Sequence, residues 1–309
     1  MHIELTDFYS RLGTIAIILV LGFLLGKLKL ISPKTNKDLV NLLLTVFMPA
    51  SLFAAFPTTY SDETSDLFKA GLLAGVLVMT ALIIVSKILF NKKFYNDKLR
   101  YESQFALIFN NATFLGYPII ASTFGEQGVI PYCGFIIAFN IALFSYGVYL
   151  FKHKIDSKLV LNVITNPNII AVVLGVIVFV TGFQLPGFVT DAVKYTGNAT
   201  TALSIICVGY MLSNAKFFKL IKKWKLILTA AAQLVLGPLI AFGLLTLLQF
   251  PSEVIAVCTL IQALPTATSL GLFASKYGGD QTEASELVTV STVLSIVLMP
   301  LMVSLLLIH

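Results

Sequence analysis

The chain has 309 residues, of which 57% are hydrophobic and only 12% charged, with a mean hydropathy of +0.91. Such values lie outside the range of soluble globular domains and exclude a soluble enzyme or binding module. The formal net charge of +6 is then a question of where the cations sit along a membrane chain, and not a nucleic-acid footprint.

A hydrocarbon core of about 30 Å needs on the order of 20 apolar residues per helix. Ten such stretches follow one another: residues 10–28, 38–56, 69–91, 103–123, 129–150, 165–183, 196–214, 226–249, 254–275 and 285–307, taken here as spans 1 to 10. Span 1 opens behind the acidic leader MHIELTDFYS, and no small-residue cleavage site follows VLGFLLGKLKL, so an uncleaved helix is expected. Lys27, Lys29, Lys34 and Lys37 follow it, whereas Asp62, Glu63 and Asp66 follow span 2. Lys87, Lys92, Lys93, Lys98 and Arg100 surround the link from span 3 to span 4, and Glu126 follows span 4. Lys152, Lys154 and Lys158 follow span 5; Lys216, Lys219, Lys222, Lys223 and Lys225 follow span 7; Glu253 follows span 8, and Lys276 follows span 9. Eighteen of the 21 Lys and Arg thus fall in alternate loops, which predicts both termini outside. Trp224 beside its basic cluster fits an interfacial anchor. Cys133, Cys207 and Cys258 fall in spans without CxxC spacing and read as packing residues.

Span 4 contains FNNATFLGYPII at 109–120, a polar and helix-breaking run inside apolar sequence. ATFLG at 112–116 is echoed by ATSLG at 267–271, and ASTFG at 121–125 by ASKYG at 274–278, offset by about half the chain. A repeat of five spans, 1–154 and 155–309, must insert its second copy upside down, giving inverted repeats. Proline removes a donor and clashes with the preceding turn. Breaks are therefore expected at Gly116-Tyr117-Pro118 in span 4 and at Ala263-Leu264-Pro265-Thr266 in span 9.

Backbone groups freed in lipid cost several kcal/mol each unless they face protein or a water-filled cavity. Asn110, Asn111 and Thr113 can satisfy the first break, and Gln262, Thr266, Thr268 and Ser269 the second, while lining a polar site. Tyr117 either closes that site or fills space. Half-helix N-termini meeting there hold an anion without lysine or arginine. No charged residue falls in the middle of a span, since Lys69, Asp191, Lys194, Glu102 and Glu253 sit near ends, so no carboxylate relay for protons is apparent. There is no HExxH and no paired aspartate in a span, and His2, His153 and His309 are terminal or in a loop. No enzyme, cofactor or metal site is expected. Blander readings stand beside these: Gly116, Pro118 and Pro265 as simple kinks, Asn110 and Asn111 as interhelical glue, and Asn198, Thr200, Thr201, Ser291, Thr292 and Ser295 as packing.

The segments NNATFLGYPIIASTFGEQG, NPNIIAVVLG, TGNATTALSIICVGYML and STVLSIVLMPLM resemble the auxin efflux carrier family, which includes the plant PIN-FORMED carriers and bacterial permeases for malate, malonate and similar acids. The likeness runs through nearly the whole chain. It implies the fold of bile acid:sodium symporter relatives: an all-α integral membrane protein of ten helices in two inverted five-helix repeats, with spans 4 and 9 broken and crossed. It also implies a scaffold of spans 1, 2, 6 and 7, and a transport unit of spans 3–5 and 8–10 that shifts past it like an elevator. The family's crossover prolines match Pro118 and Pro265, its asparagine pair matches Asn110 and Asn111, and Asn140 falls where a polar residue stands beside the crossing. One departure is Ala202, where the family has a proline in span 7 matching Pro49 of span 2, so that face is expected to be straighter.

The favoured expectation is a secondary transporter of a small mono- or dicarboxylate such as malate, in the plasma membrane of a bacterium, with H⁺ or Na⁺ as coupling ion and a homodimeric scaffold. A sodium-coupled symporter of an amphipathic, bile-acid-like anion is the alternative. A membrane-embedded enzyme or a receptor is disfavoured by the missing acids, bases and metal ligands.

Overall fold

The computed structural model describes residues 5–56, 61–92, 95, 97–153, 161, 164–213 and 223–307. Lys93, Lys154, Lys158, Lys216, Lys219, Lys222, His2 and His309 lie outside the described residues. The described chain is helical: α1 (Leu5–Lys27), α2 (Pro33–Ala54), α3 (Asp62–Leu89), α4 (Asp97–Ile108), α5 (residues 112–124), α6 (Gln127–Lys152), α7 (Pro167–Thr181), α8 (Gly187–Ser213), α9 (Trp224–Leu247), α10 (Ser252–Gln262), α11 (Ser269–Tyr277) and α12 (Gln281–Leu307). Five of these, α2, α3, α6, α9 and α12, are long and apolar enough to cross a membrane, and α7, α10 and residues 13–27 of α1 are shorter apolar helices.

Local chemistry moves several boundaries outward from the hydropathy limits. Ser61 accepts a hydrogen bond from the Thr64 amide at 3.2 Å, and Asp62 and Glu63 fill the first turn, so α3 starts well before residue 69. Gly182, at φ 64, ends α7, and α8 begins at Gly187, so the polar run ahead of residue 196 is already helical. With no proline within it, α8 runs unbroken past Ala202.

Span 4 breaks about two turns earlier than expected. The chain leaves the helix after Ile108, and Gly116, Tyr117 and Pro118 lie inside a rewound helix, a π-helical turn over Ala112–Gly116 leading into the helix that begins at Tyr117. The wide turn next to Pro118 removes the need for its missing amide, so that proline starts a helical segment and does not end one. A second interruption at Gly125, φ 63 and ψ −153, separates α5 from α6. In span 9 the break falls where expected, between Gln262 and Ser269.

Helices pair in a regular way. α1 packs on α8, and α2 on α7; α3 packs on α6, and α9 on α12; α4 touches α9, and α10 touches α3. Two crossings bring backbones together through glycine. A Cβ on Gly22 would lie 2.3 Å from the Ile206 carbonyl oxygen and one on Gly209 2.2 Å from that of Leu19; between α3 and α6, Gly71 and Gly134 stand in the same relation to Pro131 and Phe68. An aromatic cluster joins the broken helices, with Phe105 of α4 at 5.3 Å from Phe273 of α11 and Phe109 edge-on to Phe139 at 5.8 Å.

Candidate functional site

The two breaks meet. The Asn111 amide donates to the Pro265 carbonyl at 2.6 Å, and the Ala267 amide to the Phe109 carbonyl at 2.9 Å, so Asn110 and Thr266 form an isolated antiparallel bridge. Two stretches of unwound chain thus satisfy each other, as buried backbone must. The Asn110 side-chain amide donates to the Gln262 oxygen at 2.8 Å, adding a second link across the crossing.

Other helices hold each break open. Gln233 of α9 donates to the Leu264 carbonyl at 2.7 Å and accepts from the Ser291 hydroxyl of α12 at 2.9 Å, while Ser291 accepts the Thr266 amide at 2.9 Å. All of these side chains are buried. On the other side the Tyr132 hydroxyl donates to the Ala112 carbonyl at 2.9 Å. The polar groups that a continuous helix would have paired internally are pinned by side chains of α6, α9 and α12.

Beside the bridge lies a cavity of about 310 Å³. Its wall from the broken helices carries Asn110, Asn111, Thr113, Thr268 and Ser269, Asn140 of α6 adds another polar group, and Phe114, Phe139 and Phe273 supply apolar surface. Asn111 caps α5 by accepting the Phe114 amide at 3.3 Å, and its own Nδ2 is buried without a partner. Asn140 gives its amide to the Ile136 carbonyl at 2.7 Å, which leaves its oxygen for the cavity. Thr113 and Ser269 sit in the first turns of α5 and α11, where amides lack helical acceptors and the helix dipole is positive. Among the described residues no charged side chain lines the cavity. The arrangement suits a small polar solute and favours an anion through fixed dipoles rather than through a counter-charge.

The other residues expected from the sequence to line the site brace it or lie behind it. Gln262 holds Asn110 from behind, while Pro265 and Thr266 form the bridge through their backbones. Gly116 is buried against Tyr132 and Leu264, where an added Cβ would come within 3.3 Å of the tyrosine ring. Tyr117 faces a second cavity on the far side of the crossing, and Pro118 lies in the first turn beside it.

A family profile described as Membrane transport protein matches residues 8–157 and, a second time, 151–303. The chain belongs to this family, the auxin efflux carriers. Among its relatives, an uncharacterized transporter of Methanothermobacter thermautotrophicus is 22% identical over 93% of this chain and 95% of its own length. An uncharacterized transporter of Methanocaldococcus jannaschii is 23% identical over the same shares, 93% and 95%. An uncharacterized sodium-dependent transporter of Bacillus subtilis is 33% identical over 134 residues, 42% of this chain and 41% of its own. The chain is a multi-pass membrane transport protein of this family.

The sequence reading missed the opposite wall of the cavity. Asn41 and Thr45 of α2 and Asn166, Pro167 and Asn168 at the start of α7 complete it. Asn166 caps α7 by accepting the Asn168 amide at 2.9 Å, and the Asn168 side-chain oxygen is buried without a partner. The available signal was NPN at 166–168: one asparagine suffices for a cap before Pro167, and the second is surplus to it.

Proposed function

We propose that this permease is a secondary transporter of a small organic anion, a mono- or dicarboxylate such as malate. The observation that carries the reading is the cavity at the crossing of the broken helices, rich in amides and hydroxyls and without a charged side chain among its described lining residues, with the buried Asn111 Nδ2 donor still lacking a partner. A carboxylate entering it meets amide donors and helix N-termini that need no rearrangement.

In this reading the chain crosses the membrane ten times with both termini outside, and residues 1–154 and 155–309 are inverted repeats. The doubled family match and the helix pairings support it: exchanging the five spans of one half for those of the other turns α1 on α8 into α7 on α2, and α3 on α6 into α9 on α12. The cavity lies between α2 and α7 on one side and the broken helices on the other, as an elevator requires of a site carried past a scaffold. We place the protein in a bacterial plasma membrane, as a homodimer through the scaffold. An inside-negative potential alone drives anion efflux, so uptake takes a proton or Na⁺ as coupling ion.

A sodium-coupled symporter of an amphipathic anion is the second reading, favoured by the relative named as sodium-dependent. Binding separates the two. Titrating purified protein with malate, malonate and a bile acid, with and without Na⁺, should show saturable carboxylate binding that Asn111→Ala removes. Binding of the bile acid alone, and only with Na⁺, would replace the first reading by the second.

A further inference from the structure

Across the crossing from the polar cavity, α2, α5 and α8 line a second, open cavity of about 300 Å³, whose wall includes Ser51, Tyr117, Ala121 and the exposed Lys194 and Asn198. Ser51 lies six positions beyond Thr45 on α2, so the two cavities are offset by about 9 Å along that helix. The Ser51 hydroxyl donates to the Gly197 carbonyl at 2.6 Å and lies 2.6 Å from that of Thr200, which shuts the floor between α2 and α8.

Lys194 and Asn198 stand one turn apart on the same face of α8. Neither has a hydrogen-bond or ion-pair partner among the described residues. Three cations, Arg11, Lys69 and Lys194, fall outside the basic loops, and Lys69 is tied to Asp66 at 3.2 Å. Asp191, a turn earlier on α8, makes no ion pair with Lys194 and does not line the cavity. The cavity therefore holds a positive charge and a carboxamide with no acceptor among the described residues.

We infer that Lys194 and Asn198 form an anion-capture site that receives the carboxylate of a small organic acid on the side opposite the polar cavity. In the ten-span topology this is the outside of the cell. That the captured anion is the transported one rests on the function proposed above.

The test uses the full chain in right-side-out vesicles with Ala121→Cys as reporter, the native Cys133, Cys207 and Cys258 being buried. Its labelling rate is measured with an anionic sulfonate and a cationic trimethylammonium methanethiosulfonate. The anionic reagent should react about fivefold faster relative to the cationic one than in Lys194→Gln, the effect of one charge about 8 Å away in a water-filled cavity on two reagents of opposite sign. Lys194→Arg should keep the ratio, and malate should slow labelling. A ratio that Lys194→Gln leaves unchanged, or a cysteine that neither reagent reaches, overturns the site. If counterflow fails with every acid while the charge-dependent ratio persists, the transport reading falls and the anion site stands. If counterflow occurs and malate gives no protection, the site is not the substrate's and the inference falls.

Discussion

Asn110 and Thr266, from opposite halves of the chain, pair their backbones in the one antiparallel bridge among the described residues. That pairing makes the two broken helices a single rigid crossing, and Asn111, next along, is left with its side chain toward the cavity. Asn111→Ala keeps the Asn111 backbone bond to Pro265 and loses the cap and the unpaired Nδ2. Folding should weaken by about 1 kcal/mol and carboxylate exchange should fall by tenfold or more, on the order of one lost hydrogen bond to an anion. Insertion measured by yield and gel filtration should be normal; near-wild-type exchange in a well-folded variant removes Asn111 from the site.

Pro265→Ala restores an amide where the chain is unwound and lets α10 extend toward the bridge. Exchange should slow while substrate binding persists, read as a fall in maximal rate with little change in half-saturation. An unchanged rate argues against a functional break there.

Gln233 and Ser291 touch the break and not the cavity, so their role is to position. Gln233→Leu orphans the Leu264 carbonyl, and Ser291→Ala orphans the Thr266 amide, each at about 1–3 kcal/mol. Both should raise the half-saturation concentration more than they lower protein yield. In the double variant the losses should be less than additive, because the two side chains belong to one network.

The α1–α8 crossing leaves no room at Gly209, where a Cβ would meet the Leu19 carbonyl oxygen at 2.2 Å. Gly209→Val should destabilise the purified protein by at least about 1–3 kcal/mol, measured as a lower melting temperature in detergent. Gly13→Val, at a position with nothing within 4 Å, should leave it unchanged and serves as the control.

How much of this was legible beforehand depends on which interaction sets each feature. Hydropathy located the five helices long and apolar enough to cross a membrane because burial in lipid demands runs of apolar residues. It misplaced the start of α3, which is set by the Ser61 cap, and the start of α8, whose polar turns face a cavity. Pro265 marked its break correctly. Pro118 misled, since a proline at the start of a helical turn is harmless and the unwinding at Phe109–Asn111 is fixed instead by pairing with distant chain. The pinning of that break by Gln233 and Ser291, and the wall supplied by Asn41 and Asn168, depend on which helices become neighbours, which local sequence does not state.

The most direct test of the central claim is counterflow in proteoliposomes preloaded with a panel of unlabelled carboxylates, with labelled malate added outside and Na⁺ and pH gradients varied. Accelerated uptake of label with preloaded malate or a close relative, reduced tenfold or more by Asn111→Ala, is the predicted result. Uptake no faster than in protein-free liposomes for every acid would contradict a carboxylate carrier at the crossing of the broken helices.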